Sequence, residues 1–451
     1  MAPTSEQLRK WFGPMPGRNE ACVFSLLAIT VALIVCVWSL LLGFHGEAFL
    51  GRPLGGDFVQ FYVSGKILNH YDAWRIYDLK LAVDLQHAVL PAMASTQMLV
   101  FAQAPYIAAL FRPFALLPYA WAYVAWLIVS AVLYAASLAL FFHSARLDHS
   151  DKKTGYLLAL SAMPFLFETW IGGQVSVVAF FCWSLFFFYL SKNLRFVAGA
   201  ALGLLLFKPT LVALPVAMLL CGRRWRILAG FATGSLAMTL ASIGIAGWHG
   251  VRAWVQTLLF DSQFTKRAVP VSHLAKNVDL NAFLALLLPS TVANVFFIVL
   301  SAAGFLWLAL AWWRSKHDSD QSLWAATLCF TLILSPYAPI YDSILVVGAV
   351  ALLAGTPRTG MHGAPDAWLV VLYMLPWITQ SFAQYLHLQL FTLAIAGFAA
   401  WTLRQFAPVN NNIFNKITEE WRRILELGPL KTAQEDRTMP NQTGHRSTGR
   451  F

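Results

Sequence analysis

Residues Ala21 to Phe44 form a run of 24 residues without one charged side chain. Comparable apolar runs recur along the chain as far as Arg404. About twenty predominantly apolar residues are what an α-helix needs to cross the hydrocarbon core of a bilayer. In lipid every backbone polar group must be satisfied within the protein, so only helices and closed barrels span. Barrel strands read as short segments of alternating polarity, which is not the pattern here. Charged residues are 12% of the chain and hydrophobic ones 58%, against roughly 25% charged in soluble proteins. The sequence therefore predicts an all-α polytopic membrane protein.

The first run is too long for a signal-peptide core and no small-residue cleavage site follows it, so it reads as a retained helix. Cys22, Cys36, Cys182, Cys221 and Cys329 all lie within or at the ends of apolar segments. They read as small packing residues and not as a disulfide framework or metal site.

The net charge of +11 suggests a nucleic-acid partner until its distribution is read. Of the 32 lysines and arginines, 22 fall on one alternating set of loops and on the two terminal segments. That is the positive-inside bias, which places those loops in the cytoplasm and argues against nucleic acid.

About twelve crossings are expected, over 21–44, 119–142, 156–171, 175–191, 196–207, 210–222, 227–247, 291–313, 322–335, 343–355, 366–383 and 388–404. The transmembrane domain is then 21–404. A cytoplasmic segment, 1–20, precedes it with an amphipathic piece at Glu6–Phe12, and a cytoplasmic tail, 405–451, follows it. The tail reads as an amphipathic helix over 413–425 and a disordered polar stretch from 427. Two outward loops are long. The first, 45–118, holds helix-like stretches at 58–70 and 79–98 and a Pro-punctuated apolar piece at 104–118. The second, 248–290, carries His249, Gln263, Lys266, Arg267, His273, Lys276 and Asn281. Segments 196–207 and 210–222 are short, since twelve residues rise only about 18 Å. Their joint at Lys208–Pro209 is thus expected in a depression below the outer surface.

Ionisable residues at a membrane mark functional sites. Asp57, Glu168 and Asp342 lie near the outer ends of apolar segments, with Lys208, Arg112 and Gln174 on the same face. Two readings of Asp57 stand. In one it caps the helix 58–70, with Gln60 at the reciprocal position of a capping box. In the other it is a general base for an acceptor hydroxyl. Lys208 is either a snorkelling lysine or a cation for a phosphate. Arg112 is either a headgroup anchor or a second phosphate ligand. Asp342 is an N-cap, a sugar-hydroxyl acceptor or a partner for Lys208. Gln174 and Glu168 either bind sugar hydroxyls or pack helices. Tyr62, Tyr71, Trp74 and Tyr77 are aromatics for a sugar face or for interfacial anchoring. His249 and His273 lack partners at metal-ligand spacing, so no metal is expected, and no nucleotide-binding or hydrolase motif is present.

Five stretches occur in order: "GGDFVQFYVSGKILNHYDAWRIYD" (55–78), "PYIAALFRPFALLP" (105–118), "GGQVSVVAFF" (172–181), "AGAALGLLLFKPTLVALPVAMLLCGRRW" (198–225) and "SPYAPIYDSILVV" (335–347). Together they resemble glycosyltransferase family 87, polytopic enzymes of the GT-C type that include bacterial polyprenol-phosphate-mannose-dependent mannosyltransferases. The resemblance implies a hexosyltransferase of the bacterial inner membrane with its site on the outer face. It implies a polyprenyl-phosphate-linked hexose as donor, a glycan or lipid as acceptor, inversion in a single displacement and no cofactor. It also implies an acid in the first outward loop as base, a position Asp57 fills. Lys208 and Arg112 would then hold the donor phosphate, and Asp342, Gln174, Glu168 and Tyr62 would line the sugar or acceptor site. Some relatives carry a histidine near the Pro-rich turn where this chain has Tyr337 and Tyr341. The rival class is a transporter or flippase for lipid-linked saccharides, in which the same loop and cation bind a lipid phosphate without chemistry.

Overall fold

The structure is a computed structural model that describes residues 18–45, 47, 54–91, 93, 99–147, 149–264, 270–315, 317, 320–354 and 364–406. The expected amphipathic piece at Glu6–Phe12, the helix at 413–425, the polar tail, residues 94–98 of the stretch 79–98, and Lys266 and Arg267 lie outside them. The described chain is helical throughout, without strands; an isolated antiparallel bridge joins Asn277 to Pro339.

Helix α1 is Arg18–Phe44. The connection that follows folds into α2 (Phe58–His70), a 3₁₀ turn (Ala73–Tyr77), α3 (Leu79–Val89) and α4 (Pro105–Leu110). Then come α5 (Tyr119–Ser144), α6 (His149–Leu160), a π-helical segment (Pro164–Ile171) and α7 (Ser176–Ser191). Helix α8 (Arg195–Gly203) and α9 (Ala213–Cys221) flank the joint at Lys208 through short 3₁₀ turns. Helix α10 (Trp225–Phe264) breaks at Gly247, whose φ of 67° and ψ of 175° are open to glycine alone. The remainder is α11 (Val271–Leu274), α12 (Leu280–Leu287), α13 (Ser290–Arg314), α14 (Gln321–Ile333), α15 (Ile344–Ala354), α16 (Ala364–Leu386) and α17 (Leu390–Phe406).

Local chemistry sets several boundaries. Asp78, Asp279 and Asp320 cap α3, α12 and α14, each carboxylate accepting from the backbone N–H three residues on. Pro105 opens α4 at a position where its missing N–H costs nothing.

Among the described residues the expected apolar segments are largely helical, but 156–171 is divided between two elements and the lengths differ widely. Glu20–Phe44, Tyr119–Ser144, Trp225–Leu259 and Ser290–Arg314 are each long and apolar enough to cross a bilayer. Pro164–Ile171 and Ser176–Ser191 make a fifth if the pair, bent by 119°, is one span. Five further apolar helices are shorter, among them 195–207 and 209–221. Hydropathy alone does not separate these classes, because the breaks sit at Gly-Gly and Lys-Pro steps inside apolar runs.

The core is aromatic, with Trp126, Trp183, Trp312 and Trp324 fully buried. Trp312 donates its indole N–H to Thr327 Oγ1 at 2.9 Å, so its polar edge is satisfied. Helix α8 meets α10 through glycines spaced four apart, Gly199 and Gly203 facing Gly230 and Gly234. A Cβ on Gly199 would lie 1.9 Å from the carbonyl oxygen of Ile227, and one on Gly230 would lie 1.9 Å from that of Phe196. This is small-residue packing, in which backbones approach closely enough for dispersion to hold helices together in lipid.

Gly199→Ala and Gly230→Ala are therefore expected to lower the midpoint of thermal unfolding in detergent. Gly244→Ala, on the same helix α10 with nothing within 4 Å, is expected to leave it unchanged or raise it through the roughly 0.5–1 kcal/mol helical advantage of alanine.

Candidate active site

Four chain breaks meet at one end of the helix bundle. The first is Leu54–Asp57, where Gly55 and Gly56 have φ of 80° and 50°. The second is Gly172–Gln174, where Gly173 has φ of 67°. The two turns interlock. Asp57 donates its N–H to the Gly172 carbonyl at 3.1 Å, and a Cβ on Gly173 would fall 2.5 Å from Phe58 Cβ and 2.7 Å from the Gly55 oxygen. Helix α5 pins both turns. Tyr119 donates its hydroxyl to the Leu54 carbonyl at 2.7 Å and Tyr123 donates to that of Ile171 at 2.6 Å.

The interlock brings two side chains together across 117 residues. Gln174 donates its Nε2 hydrogen to Asp57 Oδ2. The capping reading of Asp57 does not hold. Its backbone is αR, at φ −75° and ψ −8°, and its side chain makes no capping hydrogen bond. An N-cap residue normally has extended backbone angles, and the tight Gly-Gly turn forbids them here. The half-buried carboxylate is therefore free of α2 and held by Gln174 alone among the described hydrogen bonds.

The third break is Lys208 itself. Tyr106 of α4 closes it by accepting from the Phe207 N–H and donating to the Leu204 carbonyl, both at 2.8 Å. The fourth is the Pro-rich turn before the 3₁₀ segment Ile340–Ser343. Here the Lys208 ammonium donates to Asp342 Oδ1 at 2.5 Å and to Ser176 Oγ at 2.9 Å. Ser176 in turn donates to Asp342 Oδ1 at 2.8 Å. The ammonium also faces the Tyr341 ring, 4.9 Å from its centroid. Both charged side chains are nearly closed off from solvent, so the triad is a buried ion pair satisfied from both sides. Of the readings open for Asp342, the structure supports partnership with Lys208.

Glu168, on the π-helical segment, accepts from Gln380 Nε2 at 2.7 Å and lies near enough for its charge to act on Asp57. Arg112 is exposed and shares two hydrogen bonds with Asn69, each 3.0 Å; none links it to Lys208. Tyr62 is buried, donates to the Leu117 carbonyl at 2.8 Å and packs on Tyr119. Trp74 packs on His249 and Tyr77 donates to the Gln103 carbonyl.

The second long connection adds a residue that sequence reasoning did not place in the site. Lys276 carries an exposed side chain, and its charge acts on Asp57 ahead of that of Lys208. Its backbone is fixed, because the Lys276 carbonyl accepts from Ile340 N–H and Val278 N–H donates to the Ala338 carbonyl, both at 2.8 Å. Asp279 completes the clasp by accepting from Ala338 N–H at 2.8 Å, and burial pushes its carboxyl up to about 7. A 66-residue separation from Asp342, with no motif, is why Lys276 was not legible.

Burial raises the Asp57 carboxyl above the ordinary carboxylate range. Lys276, the Gln174 hydrogen bond and Lys208 pull it back, while Glu168 pushes it further up. The result is a carboxylate more basic than a solvated one and aimed by one neutral donor.

An apolar groove of about 280 Å³ runs along α15, and its lining includes none of these charged residues. It starts at Pro164 and Ser343, on the segments that carry Glu168 and Asp342, and reaches Phe142, Leu147 and Ala354. From Ser343 to Ala354 the helix rises about 16 Å.

Lys208→Met is expected to destabilise the protein by about 3–5 kcal/mol, since it leaves Asp342 charged and buried. The double variant Lys208→Met with Asp342→Leu is expected to recover most of the loss, read as thermal midpoints in one detergent.

No curated protein and no solved structure matches the chain. Residues 101–336 match the model of Glycosyltransferase family 87. The matched segment contains Glu168, Gln174, Lys208 and Lys276, while Asp57 and Asp342 flank it. It spans just over half of the 451 residues, and the chain belongs to glycosyltransferase family 87, a family of membrane glycosyltransferases.

Proposed function

We propose that the protein transfers a hexose, mannose-like, from a polyprenyl-phosphate donor to a glycan or lipid acceptor on the outer face of a bacterial inner membrane. The observation that carries this reading is Asp57: a half-buried carboxylate that caps nothing, held by Gln174, with its basicity raised by burial. The apolar groove along α15 supports a lipid-linked donor, because its lining is mostly hydrophobic and includes Ser343, next to Asp342. The one-sided distribution of lysines and arginines supports the outward orientation and cytoplasmic termini.

In this reading the acceptor hydroxyl attacks the anomeric carbon from the face opposite the phosphate. The new C–O bond forms as the bond from the anomeric carbon to the phosphate oxygen breaks. The bonding electron pair stays on the phosphate, and the hydroxyl proton passes to Asp57. The configuration at the anomeric carbon inverts. Gln174 is a positioning residue that fixes the carboxylate rotamer. Glu168, oriented by Gln380, accepts hydrogen bonds from sugar hydroxyls, while Asp342 stays engaged by Lys208 and Ser176. Arg112 faces the donor headgroup from the surface.

The test is transfer of labelled mannose from polyprenyl-phosphate-mannose into a membrane-lipid extract by the purified protein in lipid. Asp57→Asn, which keeps the Gln174 contact available, is expected to lower turnover roughly 10²–10⁴-fold without changing the thermal midpoint. Equal rates in wild type and a folded Asp57→Asn protein would remove Asp57 as the base. The pH profile gives a second readout. A general base works when deprotonated, so activity is lost as pH falls through the raised Asp57 pKa. Gln174→Ala removes a hydrogen bond that favours the charged form, which raises that pKa further. The acid limb is expected to move to higher pH.

A further inference from the structure

We infer that Lys276 is a catalytic residue of this site, the cation that meets the phosphate of the lipid-linked substrate. Lys208, which the sequence singled out, holds the structural ion pair instead. The inference rests on the reading just given and adds a residue to it.

The argument is one of charge balance. A donor phosphodiester carries one negative charge. When the bond from the anomeric carbon to the phosphate oxygen breaks, the leaving phosphomonoester gains most of a second charge. A cation that meets this oxygen stabilises the transition state and product more than the ground state, which is the condition for raising rate. The cluster already holds three carboxylates, Asp57, Glu168 and Asp342, against Lys208 and Lys276. The Lys208 ammonium is spent. Asp342 sits 2.5 Å from it, Ser176 takes a second proton and Tyr341 covers a face. Seen from several ångströms away, such a pair is close to neutral. Drawing Lys208 off to a phosphate would strand Asp342, which is 3% exposed, as an unpaired buried charge.

Lys276 has the opposite properties. Its side chain is exposed, and its ammonium makes no ion pair or hydrogen bond with a described residue. It is nevertheless the charge that acts most strongly on Asp57. Its backbone is mounted rigidly. Ile340 N–H donates to the Lys276 carbonyl at 2.8 Å, and Gln389 Nε2 donates to the carbonyls on either side, Ala275 at 2.8 Å and Asn277 at 3.1 Å. Thr392 donates its hydroxyl to the Val278 carbonyl at 2.9 Å. The bridge from Asn277 to Pro339 then sets Lys276 beside the turn that leads into Asp342. A long side chain on a fixed mount follows a phosphate without moving the loop.

The experiment compares wild type, Lys276→Gln and Lys276→Arg in nanodiscs. Binding of sugar-free polyprenyl phosphate and of uncharged polyprenol is measured, together with inhibition of mannose transfer by polyprenyl phosphate. Wild type is expected to prefer the phosphate. Lys276→Gln is expected to lose that preference about tenfold or more and to be less inhibited by polyprenyl phosphate, with polyprenol binding and thermal midpoint unchanged. Lys276→Arg is expected to restore most of both. If phosphate binding in Lys276→Gln equals wild type and only the acid limb of the pH profile moves up, Lys276 merely tunes Asp57 and the inference is overturned. If wild type does not distinguish the phosphate from the alcohol, it is overturned as well. Absence of transfer by wild type would count against the donor or acceptor assignment. The binding comparison would still decide Lys276.

Discussion

A helix that breaks inside a bilayer exposes N–H and C=O groups that lipid cannot satisfy. The four breaks of this chain solve that problem by meeting. Asp57 N–H uses the carbonyl of Gly172, Tyr119 and Tyr123 cover Leu54 and Ile171, Tyr106 bridges the Lys208 joint, and Thr169 reaches the Tyr341 carbonyl at 3.3 Å. The site is a consequence of this mutual satisfaction, because Asp57, Gln174 and Asp342 stand at these breaks and Lys276 is hydrogen-bonded beside the Pro-rich turn. Irregular backbone in a membrane protein is tolerated where it is buried in protein, and Leu54, Gly55, Gly173, Gln174 and Lys208 are all buried.

The interlocked glycine turns have a second consequence. They force Asp57 into an αR conformation that cannot cap α2, so the carboxylate that sequence rules assign to helix initiation is released for other work. Local propensity and function compete at this residue, and the tertiary contact with Gly172 decides. Two tyrosine hydroxyls and a 3.1 Å backbone hydrogen bond hold that backbone in place.

The buried Lys208–Asp342–Ser176 triad and the exposed Lys276 divide two electrostatic tasks. A buried pair with excellent geometry fixes the relative position of α7, the Lys208 joint and the Pro-rich turn, but its net field is small. The exposed Lys276 ammonium, without a partner among the described residues, supplies field without committing the fold. Mutation of the first is expected to read out in stability, and mutation of the second in the handling of phosphate.

Much of this was legible from the sequence. The apolar runs gave the all-helical class, because lipid leaves little freedom in how such a run folds, while four or five of the helices are long and apolar enough to cross a bilayer. Rarity of charge in those runs drew attention to Asp57, Glu168, Lys208 and Asp342. Three things were not legible. The span lengths depended on Gly-Gly and Lys-Pro steps whose geometry only packing resolves. The pairing of Gln174 with Asp57 and of Lys208 with Asp342 joins residues more than 100 apart, a distance at which spacing carries no signal. Arg112 and Tyr62 were expected to meet substrate, and the folded chain gives them Asn69 and Leu117 as partners. Sequence determined the all-helical, apolar class of the chain and which charges are conspicuous in it. Tertiary structure decided which of those charges are neutralised, because pairing depends on where separate helix breaks come to rest.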